Sequence, residues 1–302
     1  MIITKLSGGL GNQMFQYSIG RSLALKRKDK LFLDVSGYEH QNKADTKREY
    51  ELSIFNIRDK FASEEQITRL KGKRGSFSER VLSARYSKLA RAIFSFDSRY
   101  HLENADQKFE NRILKIKLDA YLEGWWQSYK YFDDIKDILQ KEFTFKKKLS
   151  PKNTLILKQI TRSESLGVHV RLGDYVSKYK SYFVNQPPTY YRKAIKHVYS
   201  KRKIDKTYVF VEKGKRKLVE KLILKGVKFQ VVEANPDHNW EWQELLELMK
   251  NCKHQIIANS SFSWWAAYLN PNPNKIVVAP KKWLVHQKFN ISDRIPPSWI
   301  KI

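Results

Sequence analysis

The sequence predicts an α/β chain whose strands form parallel sheets, and two observations lead to this fold class. At the amino end, an apolar strand, a glycine-rich loop, a helical segment and a second apolar strand follow one another directly. Between Leu166 and Ala279, segments typical of strands and of helices alternate regularly. A strand, a crossover helix and a following strand form a right-handed parallel unit in α/β folds. We therefore expect a doubly wound parallel sheet in the second half and the opening of another at the amino end.

The amino-terminal elements follow from the spacing of apolar residues. Residues 1–6 (MIITKL) predict a short buried strand, residues 7–12 (SGGLGN) a tight loop, and residues 31–34 (LFLD) a second strand. Between them, residues 13–28 predict a helix, because apolar side chains recur on one side of it, at Phe15, Ile19, Leu23 and Leu25.

The carboxyl-terminal elements begin after residues 142–153 (EFTFKKKLSPKN), a charged stretch with a proline that predicts an interdomain linker. We therefore expect an amino-terminal domain over residues 1–150 and a carboxyl-terminal domain over residues 151–302. In the second domain, strands are predicted at 166–171, 207–211, 228–232, 254–258 and 275–279, and helices at 190–199, 215–224, 240–251 and 262–269.

The composition predicts a folded and strongly basic protein. The 302 residues are 41% hydrophobic and include 58 Lys and Arg against 31 Asp and Glu, a formal net charge of +27. This excess indicates an anionic partner: nucleic acid, an acidic membrane surface or a phosphorylated substrate. Nucleic acid is disfavoured because no RNA- or DNA-reading motif is present. Residues 69–91 are the most basic segment, and they predict either an amphipathic helix packed on the domain or a helix on an anionic membrane.

No metal ion, cofactor or disulfide is predicted. Cys252 is the single cysteine, and no His or Cys pair has the spacing of metal ligands. The Asp-x-Asp pattern that holds a metal–diphosphate complex is absent. The sequence shows neither a signal peptide nor an apolar stretch of ~20 residues. We therefore expect a cytoplasmic protein, with peripheral contact to the inner membrane face as an option.

Residues 169–175 (HVRLGDY) contain the first candidate site, at the end of the strand predicted over 166–171. Alternate side chains of a strand share a face, so His169 and Arg171 point the same way, and Asp174 follows in the loop. Ligands of open α/β sheets bind at such strand ends, and the planar guanidinium matches phosphate oxygens. The alternative is an arginine in a surface ion pair and a histidine of the core.

The segment NSSFSWW at 259–265 contains the second candidate site, because it follows an apolar strand and opens a predicted helix. Ser260, Ser261 and Ser263 bring hydroxyl and N–H groups to a helix N-terminus, where anions bind readily. The alternative is a capped helix followed by two core tryptophans.

The loop SGGLGN at 7–12 is the third candidate. Met14 stands in place of the third glycine of a dinucleotide fingerprint, and the Gly-Lys-Ser/Thr of a P-loop is also missing. Its glycines let the backbone approach a sugar or a pyrophosphate closely, or they simply form a turn.

Four stretches together resemble glycosyltransferase family 11, the inverting α-1,2-fucosyltransferases that use GDP-fucose. They are GGLGNQMFQY at 8–17, YLEGWWQSYKYF at 121–132, HVRLGDY at 169–175 and NSSFSWWAAYLNPNPNKIVVAPKKW at 259–283. They occur in the family's order and span nearly the whole chain. The resemblance implies a metal-independent fold of the GT-B type, with two Rossmann-like domains facing a cleft.

The resemblance also implies roles for individual residues. The carboxyl-terminal domain would bind GDP-fucose, with Arg171 on the β-phosphate and His169 near the nucleotide. The diphosphate would be lined by the segment of Asn259, Ser260, Ser261, Phe262 and Ser263. The amino-terminal domain would hold the acceptor and reach the donor with its glycine loop, which includes Gly9, Gly11 and Asn12.

Two positions depart from the family pattern. Leu172 stands where a second arginine is common, and by alternation it points away from Arg171. The strand at 207–211 leads into residues 212–215 (EKGK) instead of Ser-Asp-Asp. Glu212 is expected to keep the carboxylate that reads the guanine or the ribose, and a changed donor preference stays open.

The function that the resemblance implies is transfer of L-fucose from GDP-β-L-fucose to the 2-hydroxyl of a terminal galactoside, forming an α-1,2 linkage. The expected acceptor is a bacterial surface glycan such as an O-antigen oligosaccharide, lipid-linked at the membrane. Asp174 is the first candidate for the catalytic base, and Glu39, Glu123 and Glu212 are the others. The alternatives are a transferase with another GDP-sugar donor and a non-catalytic glycan-binding relative.

Overall fold

The computed structural model describes residues 1–39, 41, 46–71, 99–171, 181–222, 227–234, 241–285 and 292–302. The chain divides into two compact units: unit 1 is Met1–Thr144 with Ser292–Arg294, and unit 2 is Phe145–Ile291 with Ile295–Ile302. The division follows Thr144, whereas the predicted boundary follows residue 150. The acceptor and donor roles of the two domains stay predictions.

Unit 1 is built on a parallel sheet of four strands in the order β2-β1-β4-β3. The strands are β1 (Ile2–Lys5), β2 (Leu31–Asp34), β3 (Tyr100–Leu102) and β4 (Ala120–Glu123). The described α-helices are α1 (Leu10–Lys26), α2 (Glu64–Lys71) and α3 (Lys136–Glu142). Short 3-10 segments lie at Ser36–Tyr38, Leu52–Ile54, Asn111–Lys115, Tyr129–Tyr131 and Asp133–Ile135. The strand order reverses between β1 and β4, because the chain adds β2 on one side of β1 and the later strands on the other.

Helix α1 is buried along most of its length and packs closely on the sheet. A Cβ atom on Gly20 would lie 2.2 Å from the Thr4 hydroxyl and 2.6 Å from a Leu31 methyl, so glycine permits this close approach. Buried glutamines of α1 bind the loops beyond the sheet: the Gln16 amide donates to the Gly124 carbonyl at 3.0 Å. The helix therefore fixes the loop that follows β4 as well as its own position.

Unit 2 is built on a parallel sheet of six strands in the order β10-β9-β8-β5-β6-β7. The strands are β5 (Ser165–His169), β6 (Lys206–Glu212), β7 (Gln230–Ala234), β8 (His254–Ile256), β9 (Val277–Ala279) and β10 (Ile300–Lys301). The described helices are α4 (Pro151–Thr161), α5 (Pro188–Lys201), α6 (Arg216–Leu222), α7 (Glu241–Asn251) and α8 (Ser261–Leu269). The parallel sheet predicted for the second half of the chain is confirmed.

Helices cover the two faces of the unit 2 sheet. Tyr190, Ala194 and Val198 of α5 share one apolar cluster with Val168 of β5 and Ile256 of β8. On the opposite face of β8, the Gln255 amide donates to carbonyls of α7 and α8, those of Met249 and Ala266. The single cysteine lies on this second face, where a Cβ on Gly167 would come within 2.9 Å of the fully buried Cys252 thiol.

The predicted linker contains the start of a helix. Ser150 caps α4, its hydroxyl accepts a hydrogen bond from the Asn153 N–H, and Pro151 is the first helical residue. The Glu244 carboxylate of α7 accepts hydrogen bonds from the Ser150 N–H and hydroxyl, both at 2.8 Å, and from the Asn153 amide. Residues 150–153 therefore pack against α7 within unit 2 and do not form an extended connection.

Two predictions concern residues outside the described part of the chain. Most of the basic segment 69–91 lies there, so neither its helix nor its membrane contact is tested. Among the described residues, no helix is long and apolar enough to cross a membrane.

Candidate active site

The candidate site of unit 2 lies where the strand order reverses, between β5 and β8. From β5 the chain continues to α5 and β6 on one side, and from β8 it continues to α8 and β9 on the other. Since α5 and α8 cover opposite faces, the loops diverge at the carboxyl ends of these two strands. Such a point is the usual ligand crevice of an open α/β sheet. The sequence-predicted segments 169–171 and 259–263 meet at this crevice.

Arg171 forms an ion pair with Glu212, with 2.6 Å between Nη1 and Oε1. The two residues are neighbours because β5 and β6 pair in parallel with His169 opposite Phe210, and Arg171 and Glu212 each follow this pair by two residues. About a quarter of each side chain is exposed, 24% for Arg171 and 26% for Glu212. The guanidinium is a planar fork of five N–H donors, and this geometry matches phosphate oxygens.

His169 ends β5 as a buried and neutral side chain. Burial lowers its pKa to about 3, and the positive charge of Arg171 acts in the same direction. Its Nδ1 atom has no hydrogen-bond partner among the described residues, and its ring centroid lies 6.3 Å from that of Phe262. The imidazole is therefore uncharged at neutral pH, and it connects the end of β5 to the first turn of α8.

The first turn of α8 presents a helix N-terminus to the same crevice. Ser260 is the N-cap residue and is buried, whereas Ser261 and Phe262 are half-buried. The first N–H groups of a helix have no partner within the helix, and the helix dipole is positive at this end. This turn can bind an anion beside Arg171.

Two members of the predicted segment direct their polar groups inward. The Asn259 amide nitrogen donates to the Val184 carbonyl at 2.9 Å and to the Trp283 carbonyl at 2.8 Å. The buried Ser263 hydroxyl contacts the carbonyls of Ala258 and Ser260, at 3.5 and 3.3 Å. Both side chains support the loops around the crevice, and their contact with a diphosphate stays a prediction.

Other predicted residues lie outside this group. Asp174 and Leu172 belong to the residues that the structure does not describe, so the assignment of the base stays a prediction. Glu39 is exposed, and Glu123 is held by the Lys5 ammonium at 2.8 Å and by the Tyr100 hydroxyl at 3.1 Å.

The glycine loop lies in unit 1, at the carboxyl end of β1. Gly9 has extended backbone angles and caps α1, so Gly11 and Asn12 belong to the first turn of the helix, not to a loop as predicted. Gly8 has a φ of 70°, and a Cβ there would lie 2.6 Å from the Asn12 amide nitrogen. Glycine is therefore required at residue 8 both by the backbone and by the space available.

Glu51 is a buried carboxylate at this loop that sequence reasoning missed. The Leu10 N–H donates to it, and its Oε2 atom would lie 3.7 Å from a Cβ on Gly9. Oε2 is buried without a hydrogen-bond partner among the described residues. Burial raises the pKa of Glu51 to about 7, although the Arg48 charge opposes this shift. No local motif marks Glu51, because Gly9 and Leu10, which contact it, lie about 40 positions before it in the chain.

We expect Glu51→Gln to reduce the loss of stability that accompanies rising pH. The folded state keeps the Glu51 proton up to a pKa of about 7, whereas the unfolded state releases it near 4.5. Since the folded state binds more protons in this window, the free energy of unfolding falls as pH rises through it. Between pH 4.5 and 8, the free energy of unfolding of the variant should rise relative to that of the wild type by on the order of 1 to 3 kcal/mol.

Urea unfolding at pH 4.5, 6 and 8 measures this difference. The matched control is Glu49→Gln, because Glu49 is an exposed carboxylate two residues away. Parallel pH profiles for the wild type and Glu51→Gln would contradict the assignment of a buried, protonated Glu51.

Comparison with known families gives a match over most of the chain. The family model described as Glycosyl transferase family 11 matches residues 95–302. The chain belongs to glycosyltransferase family 11. The predicted resemblance is confirmed, and with it the class of the protein as a glycosyltransferase.

Two curated relatives of this family 11 protein come from Escherichia coli. An alpha-1,2-colitosyltransferase is 28% identical over 316 aligned residues, which cover 100% of this chain and 99% of the relative. The O-antigen biosynthesis glycosyltransferase WbnK is 32% identical over 310 residues, covering 98% of this chain and 99% of the relative.

A solved structure supports the fold. A mutant of FUT1 from Arabidopsis thaliana in complex with GDP aligns with a TM-score of 0.50 and 12% identity, over 91% of this chain and 69% of that one. The GT-B type is confirmed as two α/β units with parallel sheets. The cleft between them and the absence of a metal requirement stay predictions.

Proposed function

We propose that the protein transfers L-fucose from GDP-β-L-fucose to the 2-hydroxyl of a terminal galactoside, with inversion, in the synthesis of a bacterial O-antigen. Membership of family 11 supports the glycosyl transfer. The names of the two relatives support the O-antigen context and the α-1,2 linkage.

The observation that carries this proposal is the crevice of unit 2. Arg171 at the end of β5 and the N-terminus of α8 lie on adjacent strand ends, connected by the His169–Phe262 contact at 6.3 Å between ring centroids. A guanidinium and a helix N-terminus are two positive groups that suit a diphosphate without a metal ion. The neighbouring Glu212 carboxylate is an acceptor for N–H or hydroxyl groups of the guanosine.

The reaction is a single in-line displacement. The acceptor 2-oxygen attacks the anomeric carbon of fucose, and the bond from that carbon to the β-phosphate oxygen breaks. The bonding electron pair moves to the phosphate, so negative charge develops next to Arg171, and GDP leaves. Inversion converts the β-linked donor into an α-linked product. The proton of the hydroxyl passes to a base, for which Asp174 is the candidate.

A second donor has specific support. The alpha-1,2-colitosyltransferase covers the full length of this chain, and colitose is fucose without its 3-hydroxyl group. The turn after β6 has exposed Lys213 and half-buried Lys215, and it follows Glu212, the last residue of β6, which pairs with Arg171. Since this turn departs from the family pattern, GDP-colitose is the alternative donor. A non-catalytic glycan-binding relative is the remaining alternative.

The experiment is a GDP-release assay with GDP-fucose and GDP-colitose, a panel of β-galactosides, and parallel reactions with and without EDTA. We expect acceptor-dependent release from GDP-fucose that EDTA does not reduce. A tenfold preference for GDP-colitose would identify GDP-colitose, and not GDP-fucose, as the donor. Loss of activity in EDTA that added metal restores would overturn metal independence. GDP binding without release in any reaction would support the non-catalytic alternative.

A further inference from the structure

The strand-order reversal of unit 1, between β1 and β4, contains an exposed tryptophan. The loop after β1 includes Gly8, and the segment after β4 begins with Gly124 and Trp125. Trp125 is 38% exposed, although it follows a buried strand directly. Its ring lies over the glycine loop: a Cβ on Gly8 would come within 3.2 Å of the indole Cζ3 atom. The indole therefore lies against the glycine loop and keeps part of its surface exposed to solvent.

The backbone of this tryptophan is rigidly held. The buried Glu103 carboxylate accepts hydrogen bonds from the Trp125 N–H at 2.6 Å and from the Trp126 N–H at 2.9 Å. Trp126 has a positive φ of 52° and is fully buried, so its side chain anchors the turn. A turn whose backbone is held in this way loses little backbone conformational entropy when a ligand binds its tryptophan.

The Asn12 amide lies near the indole, because a Cβ on Gly8 would come within 2.6 Å of the Asn12 Nδ2 atom and within 3.2 Å of the indole Cζ3 atom. The Gln127 amide nitrogen donates to the Asn12 Oδ1 atom at 2.8 Å. Among the described residues, the Asn12 Nδ2 donor and the Gln127 Oε1 acceptor have no hydrogen-bond partner. Both side chains are half-buried, so a ligand can reach these amide groups.

We infer that Trp125, with Asn12 and Gln127, is the subsite for the terminal pyranose of the acceptor, an inference that rests on the proposed function. In a β-galactoside the C–H bonds at carbons 3, 4 and 5 form an apolar patch on one face. Covering that patch with the indole removes apolar area from water. A sugar hydroxyl both donates and accepts, so the neighbouring amide donor and amide acceptor match adjacent hydroxyl groups.

The test measures binding and turnover separately. Methyl β-D-galactoside is titrated against the wild type and Trp125→Ala in saturation-transfer NMR, and KM is measured for galactoside and for GDP-fucose. We expect the wild type to give the strongest saturation at H3, H4 and H5. In Trp125→Ala we expect loss of this pattern and at least a tenfold rise of the galactoside KM, with an unchanged GDP-fucose KM. Trp125→Phe should retain most of the affinity.

Phe61→Ala is the matched control, because Phe61 is another exposed aromatic side chain of unit 1, at 51% exposure. Equal galactoside binding by the wild type and a folded Trp125→Ala variant would overturn the subsite, as would a loss of GDP affinity in place of galactoside affinity. Galactoside binding that depends on Trp125 in a protein without transfer activity would reject the proposed function and leave the subsite intact.

Discussion

Arg171→Ala is expected to lower the rate of glycosyl transfer about 100- to 1000-fold, equivalent to roughly 3–4 kcal/mol of transition-state stabilisation. Under the proposed function, the guanidinium lies where negative charge develops on the leaving phosphate. The fold should survive, because the Arg171–Glu212 pair is part-exposed and such pairs contribute about 0–1 kcal/mol to stability. The measurement is kcat for GDP release with saturating donor and acceptor, together with urea unfolding.

Arg216→Ala is the control for this variant. Arg216 also pairs with a glutamate near a strand end of unit 2, with 3.6 Å between its Nε atom and Oε2 of Glu233. Arg216 lies beside β7, away from the strand-order reversal, so we expect Arg216→Ala to change kcat by no more than about twofold. A twofold change in rate corresponds to less than about 1 kcal/mol. Near-normal kcat in a folded Arg171→Ala variant would show that another group neutralises the diphosphate.

Gly124→Ala is expected to lower the free energy of unfolding by about 3 kcal/mol, at the upper end of the usual cost of overpacking. A Cβ at residue 124 would lie 2.3 Å from the Glu103 Cβ and 3.1 Å from Trp126 Cε2. The Glu103 Cβ is not the flexible end of a side chain, so the two backbones must separate. This separation also displaces Trp125, and we expect the galactoside KM to rise with the loss of stability.

Gly37→Ala tests whether any added methyl group in unit 1 has this effect. The nearest atom to a Cβ at Gly37 is the Lys5 Cε at 3.6 Å, an ordinary contact. The free energy of unfolding of this variant should lie within about 0.5 kcal/mol of the wild-type value, as is usual for substitutions without a close contact. Urea unfolding measures the stability of both variants. Equal stabilities of Gly124→Ala and Gly37→Ala would show that the loop after β4 accommodates the added methyl group without loss of stability.

The positions of β5 to β9 along the chain were predictable because each of these strands is a compact apolar run between polar turns. Hydrophobic periodicity is a local signal, and here it agrees with the tertiary fold. The start of α1 was not predictable in the same way. A run of glycines favours a loop, but tertiary hydrogen bonds from Gln13 and Gln16 stabilise the helix from Leu10 onwards. Propensity is a weak prior that such contacts override.

The candidate site shows the same division between local and distant information. The Arg171–Glu212 pair follows from parallel register, because Glu212 ends β6 and Arg171 lies two residues beyond the end of the adjacent strand β5. The cluster around Trp125 depends on contacts that are far apart in the chain. Glu103 lies 22 residues before Trp125, and Asn12 lies 115 residues before Gln127. No spacing rule connects these positions, so only the folded chain brings them together.

The rate at which the Cys252 thiol is chemically modified can report how often unit 2 opens. Cys252 is the single thiol of the chain, it is fully buried, and burial raises its pKa, so a thiol-specific reagent cannot react with the folded unit. Reaction then requires the opening of the region where α7 meets β5, and its rate measures that opening under native conditions. A ligand that binds the crevice between β5 and β8 only in the closed unit should slow the modification, which makes nucleotide affinity measurable without any turnover.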